Sequence, residues 1–207
     1  VFTITVDYNE PMRLAAPGIN FDKDITNTLT LVDETWNAST TSYSWVYNVT
    51  DANEYLPDID VSVNLGSDVA GNPHVLTTET DLFTIDMANP TATVTVTDNL
   101  ITDADEPLNF TVTAEYSETM AGSPLPTIEF DSDPTGAGAT LELVDETWNA
   151  SSDVFTWTYS INDIPQTIAD IDITVTGAYD TQNNLQEQAT ATELFTIDMT
   201  NPTATVD

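Results

Sequence analysis

An all-β chain built as two tandem β-sandwich modules is what this sequence predicts. Three observations lead there. The stretch LFTIDMANPTATV at Leu82–Val94 returns as LFTIDMTNPTATV at Leu194–Val206, and the repeated Asp86 and Asp198 stand 112 residues apart. Such an interval selects two modules in a 207-residue chain, each of a size that can bury its own core. The matched segments alternate apolar and polar residues with period two, and no stretch sustains a period of 3.6, so strands are expected and helices are not.

The copies correspond along their length. FTITVDYNEPM (Phe2–Met12) answers FTVTAEYSETM (Phe110–Met120), and LVDETWNAS occurs verbatim at Leu31–Ser39 and Leu143–Ser151. SYSWVYNV (Ser42–Val49) answers VFTWTYSI (Val154–Ile161), and DIDVSV (Asp58–Val63) answers DIDITV (Asp170–Val175). The offset grows from 108 to 112, which puts four extra residues into the second copy between Ser123 and Thr140. Phe2, Ile4, Val6 and Tyr8 share one strand face, as do Tyr43, Trp45, Tyr47 and Val49. In the complete second copy, strands are expected at 91–98 (A), 108–118 (B), 126–131 (C), 138–147 (D), 154–161 (E), 170–177 (F) and 189–198 (G). Seven strands in about 110 residues read as an immunoglobulin-like sandwich, with Trp45 and Trp157 as core residues of strand E. The modules are placed at residues 1–88, lacking strand A, and 89–200, with 201–207 as the start of a following module.

Composition narrows the function. Two basic residues, Arg13 and Lys23, stand against 35 Asp and Glu, a formal charge of −33. Nothing in that balance neutralises phosphates or seeks an anionic bilayer, so nucleic acid and membrane surfaces are excluded as partners. No apolar run approaches a membrane span, and there is no Cys to staple a secreted fold. Apolar residues still make up 40% of the chain, enough for packed cores. Catalysis is not expected: His74 is the one His, its partner position in the second copy is Gln186, and no acid pair stands out from the rest.

Three features together resemble a family: Y-S/N-E-x-M after a strand, the turn DVAGN at Asp68–Asn72, and the D-x-x-N-P-T junction at Asp86 and Asp198. They are similar to the bacterial immunoglobulin-like repeats that fill the extender regions of biofilm-associated and RTX-type giant surface adhesins. The resemblance implies a spacer on the bacterial cell surface, made of end-to-end repeats whose partners are neighbouring repeats of the same polypeptide and whose junctions are stiffened by calcium. The second copy departs from the pattern where Asp68–Asn72 becomes DTQNN at Asp180–Asn184.

Strand order predicts which acids meet. One end of a module gathers the AB, CD and EF loops with the end of G, and the other gathers BC, DE and FG. At the internal junction the first module offers Asp51, Asn53, Glu54, Asp86 and Asn89, and the second adds Glu118 and Asp180. The densest run, DNLITDADE, places Asp98, Asp103, Asp105 and Glu106 in the AB loop, beside Asp163, Asp198 and Asn201. Calcium takes six to eight oxygen ligands and suits such a set, whereas zinc is disfavoured without Cys and with one His. Solvated acidic loops are the plain alternative, above all for Asp68 and Asp180, since Asp is a good turn residue.

A second function stays open. Trp36 and Trp148 share parity with Val32 and Val144, and outward-facing rings there would suit a carbohydrate-binding module. The chain also opens in strand B and closes on NPTATVD (Asn201–Asp207), which reads as an excerpt of a longer array, or as a tail that adds head-to-tail to another molecule's open edge.

Overall fold

In the computed structural model, which describes residues 1–136 and 138–206, the chain divides into two compact units at Ala88/Asn89. The expected tail ends at Asp207, which lies outside the described residues, as does Ala137 within the span expected for the second module.

The first unit holds β1 (Phe2–Asp7), β2 (Gly18–Phe21), β3 (Leu29–Trp36), β4 (Ser42–Val49), β5 (Tyr55–Asn64) and β6 (Thr77–Asp86). They form two three-stranded antiparallel sheets, β1-β4-β3 and β2-β5-β6. The second unit holds β7 (Ala92–Val96), β8 (Leu100–Thr102), β9 (Asn109–Tyr116), β10 (Thr127–Phe130), β11 (Leu141–Trp148), β12 (Val154–Ile161), β13 (Thr167–Thr176) and β14 (Ala189–Asp198). Its sheets are four-stranded, β11-β12-β9-β7 and β10-β13-β14-β8. Both units are β-sandwich-like, and no α-helix occurs among the described residues.

Alternation sets the cores. In β12, Phe155, Trp157, Tyr159 and Ile161 are buried, while Thr156, Thr158 and Ser160 between them are not. They meet Ile171, Ile173 and Val175 of β13 and Phe195 and Ile197 of β14 in one cluster fed by both sheets. The first unit repeats this with Tyr43, Trp45 and Tyr47 against Ile59, Val63 and Ile85. Edge-to-face rings with centroids 4.7–5.0 Å apart, Tyr43–Trp45 in one unit and Phe155–Trp157 in the other, lie in each core.

Two features went beyond the sequence reading. The expected AB loop contains a strand, β8, which runs parallel to the end of β14 and buries Ile101 completely. A single 3-10 turn, Asp103–Asp105, follows it. The β5–β6 and β13–β14 pairings are also broken by register shifts, and the shifted strands carry left-handed residues at matching places: Asp58 and Asp170, Asp81 and Glu193. There the bulges strand backbone N–H groups, and carboxylates take them up. Asp22 accepts from the Asp60 N–H at 2.8 Å, and Asp60 from the Asp81 N–H at 2.9 Å. In the second unit Asp131 accepts from Asp172 (2.9 Å) and Asp172 from Glu193 (2.8 Å). Part of the acid load is therefore structural.

Candidate functional site

The candidate ligand acids of the second unit fall into two groups. One lies where β9 ends and the β13–β14 connection begins. Met120 bridges Asp180, and the Ala121 N–H donates to the Tyr179 carbonyl at 2.8 Å, which ties the two segments together. Carboxylate oxygens of Glu118 and Asp180 come within 4.8 Å of each other. Asp180 is only 1% exposed and Glu118 is half-buried. The Asp180 carboxylate accepts from the Gln182 N–H (2.9 Å), the Asn184 N–H (2.7 Å) and the Asn184 amide nitrogen (2.8 Å). These donors hold it in place and use three of about four acceptor positions.

Two negative charges at that separation repel by about 1 kcal/mol in bulk water and by about 3 kcal/mol at an effective dielectric of 20. With Asp180 buried, the pair is costly alone, and a hard divalent cation reverses the sign of the interaction. The linker is fixed to the same end of this unit. The Glu187 N–H donates to the Pro90 carbonyl at 2.8 Å, the Ser117 N–H to the Thr91 carbonyl at 2.9 Å, and the Thr91 N–H to the Ser117 hydroxyl at 3.1 Å. Asn89 is half-buried at the start of this segment.

The second group is the AB loop. Among the described residues, Asp98, Asp103, Asp105 and Glu106 do not bring three carboxylate oxygens within 4.8 Å of one another. Asp105 is engaged in a capping box, where its Oδ2 accepts from the Thr102 N–H (2.8 Å) and hydroxyl (3.0 Å). Asp98 accepts from the Leu100 N–H at 3.0 Å. Asp98 and Asp105 line a cavity of about 220 Å³ with Ile101, Leu108 and Phe110, but Asp103, Glu106 and Asp163 point to solvent. Asp198 is exposed and accepts from the Thr167 hydroxyl at 3.1 Å, and Asn201 is exposed. Asp105 turns back to cap its own turn, which commits its Oδ2 to Thr102.

In the first unit, Asp86 ends β6 half-buried, and Asp51 accepts from the Asn53 N–H at 3.0 Å. Glu54 takes a short hydrogen bond from the Thr28 hydroxyl, and its carbonyl accepts from the Met87 N–H at 3.0 Å. Asp68, 6% exposed, accepts from Asn72 through the N–H (2.7 Å) and the side-chain amide (2.6 Å). The Asn72 amide holds its carboxyl below the ordinary value, against the opposing effect of burial.

Comparison with protein-family models, with characterised proteins and with solved structures returns no match for this chain. The functional reading therefore rests on the residues themselves.

The tryptophans do not stand outward as parity suggested. Trp36 packs edge-on against Tyr43 at 4.9 Å and Trp148 against Phe155 at 4.9 Å, each half-buried at its core's margin with the indole nitrogen shielded. An Asn-anchored turn follows each strand, with Asn37 and Asn149 accepting from backbone N–H groups four residues on.

Proposed function

We propose that the chain is a piece of the extender region of a bacterial cell-surface adhesin, two immunoglobulin-like repeats that act as a spacer and hold calcium. The observation that carries the reading is the Glu118–Asp180 pair, two close carboxylates of which one is buried, in a chain otherwise almost free of cations. Sandwich-like units without disulfides, repeated in tandem, are the expected material of such a spacer, and the sequence resemblance points the same way. Asp86 and Asn89, which the repeat places at the handover from one unit to the next, are the residues the sequence nominates to join the set. Within this reading the protein is extracellular, is not an enzyme, and has neighbouring repeats as its partners.

Small-angle scattering with calcium and with excess chelator tests the spacer role. Chelation is expected to broaden the intramolecular pair-distance distribution while circular dichroism reports both units folded. Identical scattering curves in the two conditions would contradict it.

A further inference from the structure

The second unit carries a cavity of about 670 Å³ on the flank where β10 and β11 are the outermost strands of their sheets. Ile128, Phe130, Leu143 and Tyr159 give it an apolar and aromatic wall, and Glu129, Asp133 and Glu142 add three carboxylates. The first unit repeats the wall as Ile19, Phe21, Leu31 and Tyr47, but Asn20 and Thr30 stand where the second has Glu129 and Glu142. Its Asp24, which makes the same turn as Asp133, follows Lys23, and Ser132 takes the place of that Lys. Arg13, Lys23 and His74 all belong to the first unit, so no basic side chain of the second unit answers the three acids.

A second observation points to a ligand. Tyr159 is 2% exposed, lines the cavity, and makes no hydrogen bond to the described residues. Burial, and after it the charges of Glu146 and Asp133, raise its pKa, so the group remains a neutral hydroxyl with acceptor capacity to spare. The acids around it do not converge as a metal site would: among the described residues, Glu129, Asp133 and Glu142 do not bring three carboxylate oxygens within 4.8 Å of one another. Spread acids around an apolar wall suit a cation with a body of its own.

We propose that this flank cavity binds an alkylammonium group, its stem against Ile128, Phe130 and Leu143 and its head donating to the Tyr159 hydroxyl and the neighbouring carboxylates. Charge-assisted hydrogen bonds hold the head, the aromatic rings add attraction for a cation, and each buried methylene of the stem adds to the affinity. The same chemistry is offered by a free amine and by a lysine side chain of another protein. The site is separate from the Glu118–Asp180 pair and does not rest on calcium.

The test is run in chelator and at about 0.15 M salt, where a screening length of about 8 Å suppresses diffuse attraction to the acidic surface. n-Pentylammonium, the neutral n-pentanol and the capped peptide acetyl-Ala-Lys-Ala-amide are each titrated into the 207-residue chain by calorimetry. One saturable site per chain is expected for an amine and none for the alcohol. Binding by pentylammonium alone makes the ligand a small amine, and binding by the peptide makes it a lysine side chain. Glu129→Asn with Glu142→Thr, which copies the first unit, is expected to weaken binding at least about tenfold, and Tyr159→Phe about fivefold. Asp103→Asn with Asp163→Asn removes as much charge elsewhere and is expected to leave the affinity unchanged. Absence of saturable binding by either amine, equal binding of the alcohol, an equal loss in the Asp103/Asp163 variant, or full affinity in Tyr159→Phe would overturn the proposal.

Discussion

The two units share six corresponding strands, β1–β6 and β9–β14, and a similar core, yet they differ in how a buried tyrosine at one end is satisfied. In the second unit the Tyr116 hydroxyl donates to Gln186 Oε1 at 3.0 Å, and the Gln186 amide nitrogen donates to the Val175 carbonyl at 3.1 Å, so the buried tyrosine is satisfied. In the first unit His74 replaces that Gln. It packs against Tyr8 at 5.3 Å, and both the Tyr8 hydroxyl and His74 Nδ1 lack a partner. A cavity of about 430 Å³ opens beside them, lined by Asp7, Glu10 and Asp68 among others. The lesson is that core alternation suffices to set a sandwich-like unit, while one amide decides whether the tyrosine at its end finds a partner.

The largest effect is expected at Ile101, which is completely buried in the second unit. Ile101→Ala opens the space that β8 fills and is expected to destabilise that unit by about 2–5 kcal/mol. Denaturant unfolding with hydrogen exchange read peptide by peptide checks it, with lost protection confined to residues beyond Asn89. A smaller loss follows from cutting the carboxylate relay at the bulges. Asp172→Ala and Asp60→Ala each leave a backbone N–H without its acceptor and are expected to cost about 1–2 kcal/mol, equally in the two units. Unequal losses in the two unfolding transitions would show that the bulges are not equivalent. In the other direction, His74→Gln gives Tyr8 the partner that Tyr116 has. It is expected to stabilise the first unit by about 1 kcal/mol, read as a rise in that unit's denaturation midpoint.

The pH limits are expected to be shared. Asp24, Asp68 and Asp153 are held below the ordinary carboxyl value, first by the side-chain hydrogen bonds from Thr26, Asn72 and Ser151. A lowered folded pKa contributes stability above the unfolded value, and that contribution disappears as pH falls through about 4 and below. Burial raises the Tyr116 and Tyr159 hydroxyls well above 10, so their contribution is complete below about pH 10 and fades as pH rises past it. Melting temperature against pH should therefore show one loss on each side of a broad plateau.

Much of the fold was legible in the residues. Long strands such as SYSWVYNV and VFTWTYSI announce themselves by alternation, and the repeat multiplies the signal. β8 was not legible, because three residues cannot display a period and DNLITDADE reads first as an acidic loop. The bulges escaped for a related reason: DID at Asp58 and Asp170 looks like strand, and only the pairing shows the left-handed first residue. Topology anticipated that Glu118 and Asp180 share one end of the unit, since both flank strands that finish there. Spacing gave no hint of the capping box that engages the Asp105 carboxylate. Parity did not foresee that Trp36 and Trp148 pack edge-on against Tyr43 and Phe155.

Calcium titration by calorimetry of the chain, alongside Glu118→Gln and Asp180→Asn, tests the central claim most directly. The account predicts saturable binding whose tightest site weakens at least about tenfold in either variant, because each removes one formal charge from a paired site. Equal calcium affinity in all three proteins, or no calcium uptake by the unaltered chain, would contradict it.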